Sequence, residues 1–346
     1  MIRSCPANAQ SVLAPVTSAA IFLVVTVDEG GEDTVRDILS GLAGLQRSIG
    51  SRVPDAGCTC VVGIGSDAWD RLYDGPRPAH LHPFVPLTGP THSAPATPGD
   101  LLFHVRASRM DVVFELAAQV MAALGSAVTT VDEVHGFAYF EQRDLMGFVD
   151  GTENPTGTAA DRAVMVADDA PFFGGSYVMV QKYLHDLDAW NALTVEDQES
   201  VIGRSKLSNI EMGETVKPPD SHTALTVVID DNGDQLQILR DNMSFGRPGS
   251  GEYGTYFIGY SATPSVTETM LRNMFLGRGD ASHDRILDFS TAVTGTLFFV
   301  PTVDFLEAPP GRPPTSTPST APATLSDGSL GIGSLKTTFE QRGLSE

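Results

Sequence analysis

Apolar residues along the chain alternate between short β-branched runs and stretches of helical spacing. AAIFLVVTV at 19–27 and TCVVGIG at 59–65 have strand length, and between them DTVRDILSGLAGLQRSIG sets Val35, Ile38, Leu42, Leu45 and Ile49 on one helical face. After a proline-rich excursion at 76–98, DLLFHVRA reads as a strand. MDVVFELAAQVMAALG reads as a helix with Val113, Ala117, Val120 and Leu124 on one side, and SAVTTVDEVHGFAYF as a further strand. With a short extra helix at 66–73, the order is β-α-β-β-α-β, the ferredoxin-like arrangement.

The pattern then starts again. GGSYVMVQKYL predicts a strand and TVEDQESVIG a helix capped by Thr194, with Asp197 three residues on. HTALTVVID, DQLQILRDN and GTYFIGYSA read as strands. SVTETMLRNMFLG reads as a helix with a Ser265–Glu268 cap, and GTLFFVP as a last strand. The fold class expected is α+β: two ferredoxin-like domains, one β-α-β-β-α-β unit with an antiparallel sheet duplicated, spanning 1–148 and 149–306. From about 307 the chain is rich in Pro, Ser, Thr and Gly, so 307–346 reads as a disordered linker that cannot bury enough to fold alone.

Composition narrows the function. Length, 346 residues, fits about two domains, and 41% hydrophobic residues suffice for a core. A formal charge of -21 repels phosphate backbones and anionic membranes, so neither nucleic acid nor a membrane is an expected partner. Cys5, Cys58 and Cys60 form no metal or CxxC spacing, and the 19–27 run is too short to span a bilayer. The expected location is cytoplasmic.

Four positions carry candidate chemistry. Asp150 in GFVDGT lies between Gly147 and Gly151, which permit positive φ or close backbone approach, so the carboxylate is aimed by its frame; a turn aspartate bonding its own backbone is the plainer reading. In LQILRDNMSFG, strand alternation puts Arg240 on the face of Leu236 and Ile238, with Asn242 two residues on. A core-facing arginine needs an anion, and a structural bridge to Asp150 or Asp241 competes with a functional role. His222 stands where KPPDS hands over to an apolar run; a lone histidine there is more often a core-edge residue than a ligand. Taken together, an imidazole, an acid, a guanidinium and an amide suit a haem peroxidase. The imidazole holds iron, while a base and a cation act on peroxide from the opposite side.

GFVDGTEN, DSH, IGRSK, RDNMSFG and EYGTYFIGYS together resemble the dye-decolourising peroxidases, and within them the B-type branch, over roughly residues 15–305. The resemblance implies non-covalent haem b, one per chain, held mainly by the second domain. Hydrogen peroxide would be reduced through a ferryl porphyrin radical that oxidises dyes, phenolics or other one-electron donors. It makes His222 the proximal iron ligand, Asp150 the distal acid, Arg240 the distal arginine and Asn242 a distal amide that orients peroxide. Gly151 would belong to the haem site, Arg204 would pair a haem propionate, and Asp288, with Asp284 near it, would accept the hydrogen bond of the proximal imidazole. Trp69, Trp190, Tyr139 and Tyr183 are relay candidates whose plainer reading is core or interface. The competing functions are a haem carrier or iron-handling protein, and a haem-free structural cargo.

The tail adds a second resemblance. DGSLGIGSLK, 327–336, sets Leu330 and Ile332 on one side of an extended segment with Leu335 beyond a Gly-Ser bend, and it is similar to peptides that load cargo into encapsulin shells. This implies an encapsulin shell protein as partner, and the family implies a homo-oligomer, a hexamer.

Overall fold

The computed structural model describes residues 8–311; Cys5 and the 327–336 motif lie outside them. The first half runs through β1 (Ala19–Val27), α1 (Glu32–Gly50), β2 (Thr59–Gly65), β3 (Leu101–Ala107), α2 (Met110–Leu124) and β4 (Val128–Phe137). The second half repeats the order with β5 (Ser176–His185), α3 (Val195–Ile202), α4 (His222–Thr226), β6 (Met243–Arg247), β7 (Glu252–Ser261), α5 (Pro264–Leu276) and β8 (Thr296–Val300).

Strand order is β4-β1-β3-β2 in one half and β8-β5-β7-β6 in the other, the same ferredoxin-like sequence twice. The two sheets also join. Ser244 of β6 pairs with Phe137 of β4, and Phe298 and Phe299 of β8 pair with Gly65 and Ile64 of β2, so the eight strands close into one antiparallel ring. Closure leaves these sheets no long free edge between the halves.

Alternation along each strand separates two apolar faces. Ala20, Phe22 and Val24 of β1 point inside the ring with Tyr256, Ile258 and Phe298. Ile21, Leu23 and Val25 point outward to the helix layer, where α1 lays Val35, Leu39, Leu42 and Ile49 and α2 lays Val113, Leu116 and Val120. The stretch Met110–Ala127 is apolar and long enough to cross a membrane by composition, but this inward face of α2 accounts for its hydropathy.

Several expectations are corrected. HTALTVVID is not one strand. Ser221 starts the helical turn His222–Thr226, and only Val228–Ile229 then pairs, with Gln235–Leu236. Pro218 and Pro219 precede that turn, and a β-branched composition concealed it. The 235–240 segment is likewise broken between Leu236 and Leu239. The cap of α5 is Thr263, ahead of Pro264, rather than Ser265. The helix Val303–Glu307 ends where the expected linker begins, and two of the linker's described residues are tied to the first half: Pro310 O accepts from Arg36 Nη2 at 3.2 Å, and Gly311 O accepts from the Asp74 amide at 2.8 Å.

Inside the ring one charged pair is fully enclosed. Arg106 of β3 donates to Asp241 and to the carbonyls of Ser11 and Val12, with Arg106 0% and Asp241 3% exposed. His104 lies beside them, bonded through Nδ1 to Tyr260 Oη at 2.8 Å and kept neutral by burial and by the Arg106 charge. Removing one partner of such a pair strands the other, at a cost of about 3–5 kcal/mol. Asp241→Asn is therefore expected to lose stability on that scale in chemical denaturation. Adding Arg106→Met should restore more than half of the loss.

Candidate functional site

A cavity of about 370 Å³ opens between the outer face of β5 and β7, helices α4 and α5, and the 144–153 and 235–242 segments. It lies in the second half, and it collects His222, Asp150, Arg240, Asn242 and Arg204 from separate stretches of sequence.

On one wall His222 is the first residue of α4. Its Nδ1 lies 2.7 Å from Asp284 Oδ2. Asp284 is fully buried and caps the turn Arg285–Asp288, its Oδ1 accepting from the Ile286 amide at 3.0 Å. With the imidazole proton held on Nδ1, Nε2 keeps a lone pair and makes no hydrogen bond within the described residues. The other histidine on the cavity wall, His185, has both nitrogens occupied, by Ser290 Oγ at 2.8 Å and Thr255 Oγ1 at 2.9 Å, and burial lowers its pKa to about 4. Gly203, φ +87°, ends α3 against this turn, where a Cβ would meet Thr223 Oγ1 at 2.1 Å.

The acceptor expected at Asp288 is thus Asp284. A cap carboxylate folds back toward its own turn and the core, whereas Asp288 closes that turn on the opposite, solvent side, beside His92 and His283.

The facing wall holds the acid and the guanidinium. Asp150 Oδ1 accepts from the Gly151 amide at 2.6 Å, the local turn bond anticipated, with Gly151 at φ +72°. Its Oδ2 accepts from Asn242 Nδ2 at 2.9 Å, while Asn242 Oδ1 accepts from the Ile258 amide at 3.0 Å. Asn242 therefore holds the acid as well as facing the cavity. Arg240 forms no ion pair within the described residues, because Asp241 points the other way to Arg106 and Asp150 is held by Asn242. Arg204 is 8% exposed and donates to Glu153 Oε1 at 2.8 Å and to Asn209 O at 2.8 Å.

Two residues escaped the sequence reading. Asn154 clamps Arg240 by its backbone, Nδ2 donating to Arg240 O at 2.7 Å and Oδ1 accepting from Arg240 N at 2.9 Å. It sits inside GFVDGTEN, but nothing local says that its partner lies 86 residues on. Asp144, also on the cavity wall, is pushed up to about 6 by burial, with the neighbouring Asp150 charge adding to the effect. Of the aromatic candidates, Tyr183 lines the cavity. Trp190 is buried behind it against Phe289, and Trp69 is core between Phe299 and Phe305. Tyr139 packs against exposed Phe140.

Residues 9–138 match the N-terminal model and 141–305 the C-terminal model of the Dyp-type peroxidases. The chain belongs to the Dyp-type peroxidase family. It is 64% identical to a dye-decolorizing peroxidase of Rhodococcus erythropolis, over 97% of this chain and 99% of the relative, and 60% identical to one of Mycobacterium tuberculosis, over 94% and 96%. Among solved structures, the encapsulated DyP-type peroxidase from Mycobacterium smegmatis superposes with a TM-score of 0.88 at 60% identity, covering 89% of this chain and all of that one. A DypB variant from Rhodococcus jostii RHA1 in complex with heme gives 0.84 at 55%, covering 86% and 97%.

The chain is a haem peroxidase, which sets aside the carrier and structural-cargo readings. The site residues fit the haem of the family. The cavity offers an imidazole with an open Nε2, apolar walls including Ile238, Phe257, Leu271 and Met274, and an unpaired guanidinium. Asp144 gives the peroxidase a pH signature. A carboxyl whose folded pKa of about 6 exceeds the ordinary ~3.9 costs stability as pH rises through that window. Asp144→Asn should match the parent near pH 4 and exceed it at pH 7, by on the order of 1–2 kcal/mol after allowing for exposure to the cavity, as read from urea unfolding at the two pH values.

Proposed function

We propose that this peroxidase reduces hydrogen peroxide at the expense of one-electron donors such as dyes and phenolics, as B-type cargo inside an encapsulin shell. The observation that carries the chemistry is the cavity in which His222 Nε2 is open while Arg240, unpaired, and the Asp150–Asn242 pair line the same space.

His222 would hold the haem iron through Nε2, and Asp284 would raise the basicity of the ring through Nδ1. Arg204 would take a propionate by its fork of N–H donors, with Glu153, half exposed, free to swing aside. Gly151, expected at the haem site, does not line the cavity: its positive φ turns the backbone beside Asp150, and a Cβ there would meet Asn154 Nδ2 at 3.1 Å, so it serves the frame of the acid. When bound, haem would supply the iron and the redox capacity for the reaction with peroxide. Asp150 accepts the proton of the incoming peroxide and returns it to the leaving oxygen. Asn242 keeps that carboxylate aimed. Arg240 stabilises the negative charge that develops on the leaving oxygen, and Asn154 fixes the backbone from which it projects.

A shell partner is supported by the 327–336 motif and by the encapsulated relative from Mycobacterium smegmatis. The proposed location is therefore a nanocompartment in the cytoplasm. Assembly as a homo-oligomer, a hexamer by family resemblance, would present several tails at once and add avidity.

Holoenzyme prepared with haem should show a Soret band that shifts on adding peroxide, and His222→Ala should lose the band. In stopped flow, Arg240→Leu is expected to slow the shift by about 10²–10³-fold and Asp150→Asn by less, because the guanidinium keeps its charge throughout; the reverse order contradicts this division of labour. Deleting 327–336 should leave the peroxide reaction intact and abolish co-purification with a co-expressed shell protein.

A further inference from the structure

Asp288 belongs to a cluster outside the cofactor cavity. Its Oδ1 stands 3.1 Å from His92 Nε2 and 3.0 Å from His283 Nε2, and the three ligand atoms lie within 4.8 Å of one another. Both rings turn the same nitrogen toward one carboxylate oxygen. Their planes are tilted by 63° with centroids 4.8 Å apart, so they converge on a point without stacking. His283 Nδ1 meets Ser282 Oγ at 3.0 Å, the kind of outer contact that fixes which nitrogen faces inward.

The dimensions suit a metal. Tetrahedral zinc with bonds of about 2.0–2.1 Å to nitrogen and oxygen has ligand atoms roughly 3.3 Å apart; the two separations to Asp288 Oδ1 match this to a few tenths of an ångström, and the two imidazole nitrogens, within 4.8 Å of each other, need only a rotation of the side chains to close on a shared ion. Asp288 has no lysine or arginine partner within the described residues; its ion-pair contacts are the two imidazoles. Side-chain exposures of 21% for His92, 18% for His283 and 40% for Asp288 leave a mouth where water could complete the shell. The charge of -21 concentrates cations at the surface.

We propose that His92, His283 and Asp288 form a surface site for a divalent transition metal, zinc fitting best, with the fourth position open to water. Two neutral imidazoles and one carboxylate are a borderline donor set, which favours zinc over calcium or magnesium. The site also has a structural consequence. His283 and Asp288 bracket Asp284, the acceptor of the His222 proton, so a bound ion ties both ends of that segment to His92 and stiffens the proximal hydrogen bond.

Tag-free holoenzyme equilibrated with micromolar Zn²⁺ and analysed for metal per haem should hold one zinc per chain at this site. His92→Ala and Asp288→Asn are each expected to weaken that binding at least tenfold with the Soret band retained, while His135→Ala, at the surface pair with Glu133, leaves it unchanged. Zinc should raise the melting temperature of the parent and not of the two variants. Anomalous diffraction at the zinc edge from parent crystals needs no variant and should place a peak between the three residues. Absence of that peak at 100-fold excess zinc, or equal zinc in parent and His92→Ala, overturns the proposal and leaves a hydrogen-bonded cluster only.

Discussion

Extended alternation at residues 240–242, locked by one buried ion pair, sets one wall of the cavity. Asp241 points into the closed ring and meets Arg106 from the other half of the molecule. Its neighbours must then point outward, and Arg240 and Asn242 enter the cavity. A slip of one residue would place a guanidinium and an amide in the apolar interior and an acid in the cavity. The pair fixes register more than it adds stability, since a buried salt bridge returns little over an apolar core of equal volume. It also frees Arg240. With Asp241 committed elsewhere and Asp150 held by Asn242, the guanidinium keeps no ion pair within the described residues, which is what the role proposed for it requires.

The wall that carries His222 is set by the start of a 3₁₀ turn. Asp284 uses one oxygen to cap the turn that follows it and the other to hold His222, so a single buried carboxylate ties local structure to the orientation of the imidazole. The caps, turns and short strands around the cavity come from the second half, while the first half contributes the pin at Arg106 and strands that close the ring. Duplication has in this way separated two tasks. One half is scaffold; the other carries the cavity on its outer face.

Much of this was legible in the chain. Long periodic segments gave their type correctly, because α1, α2, β1 and β3 each bury a face whose period is unmistakable. Asp150, His222, Arg240 and Asn242 stood out as a set, and the cavity gathers all four. Short elements were harder. HTALTVVID has strand composition, yet its first residues turn helical where Ser221 and two prolines redirect the backbone. The choice between Asp284 and Asp288 depends on which end of a single 3₁₀ turn faces inward, and no periodicity of four residues decides that.

What the sequence determined by itself was therefore the duplicated α+β order, the acid framed by glycines and the face shared by Ile238 and Arg240, since propensity and alternation act over neighbouring residues. Only the tertiary structure decided that two sheets join into one ring, that Arg106 claims Asp241, that Asn154 clamps Arg240, and that Asp284 holds His222. Each of these joins groups dozens of residues apart or more, and such a bond is chosen by packing and by the need to satisfy buried charge, not by local pattern.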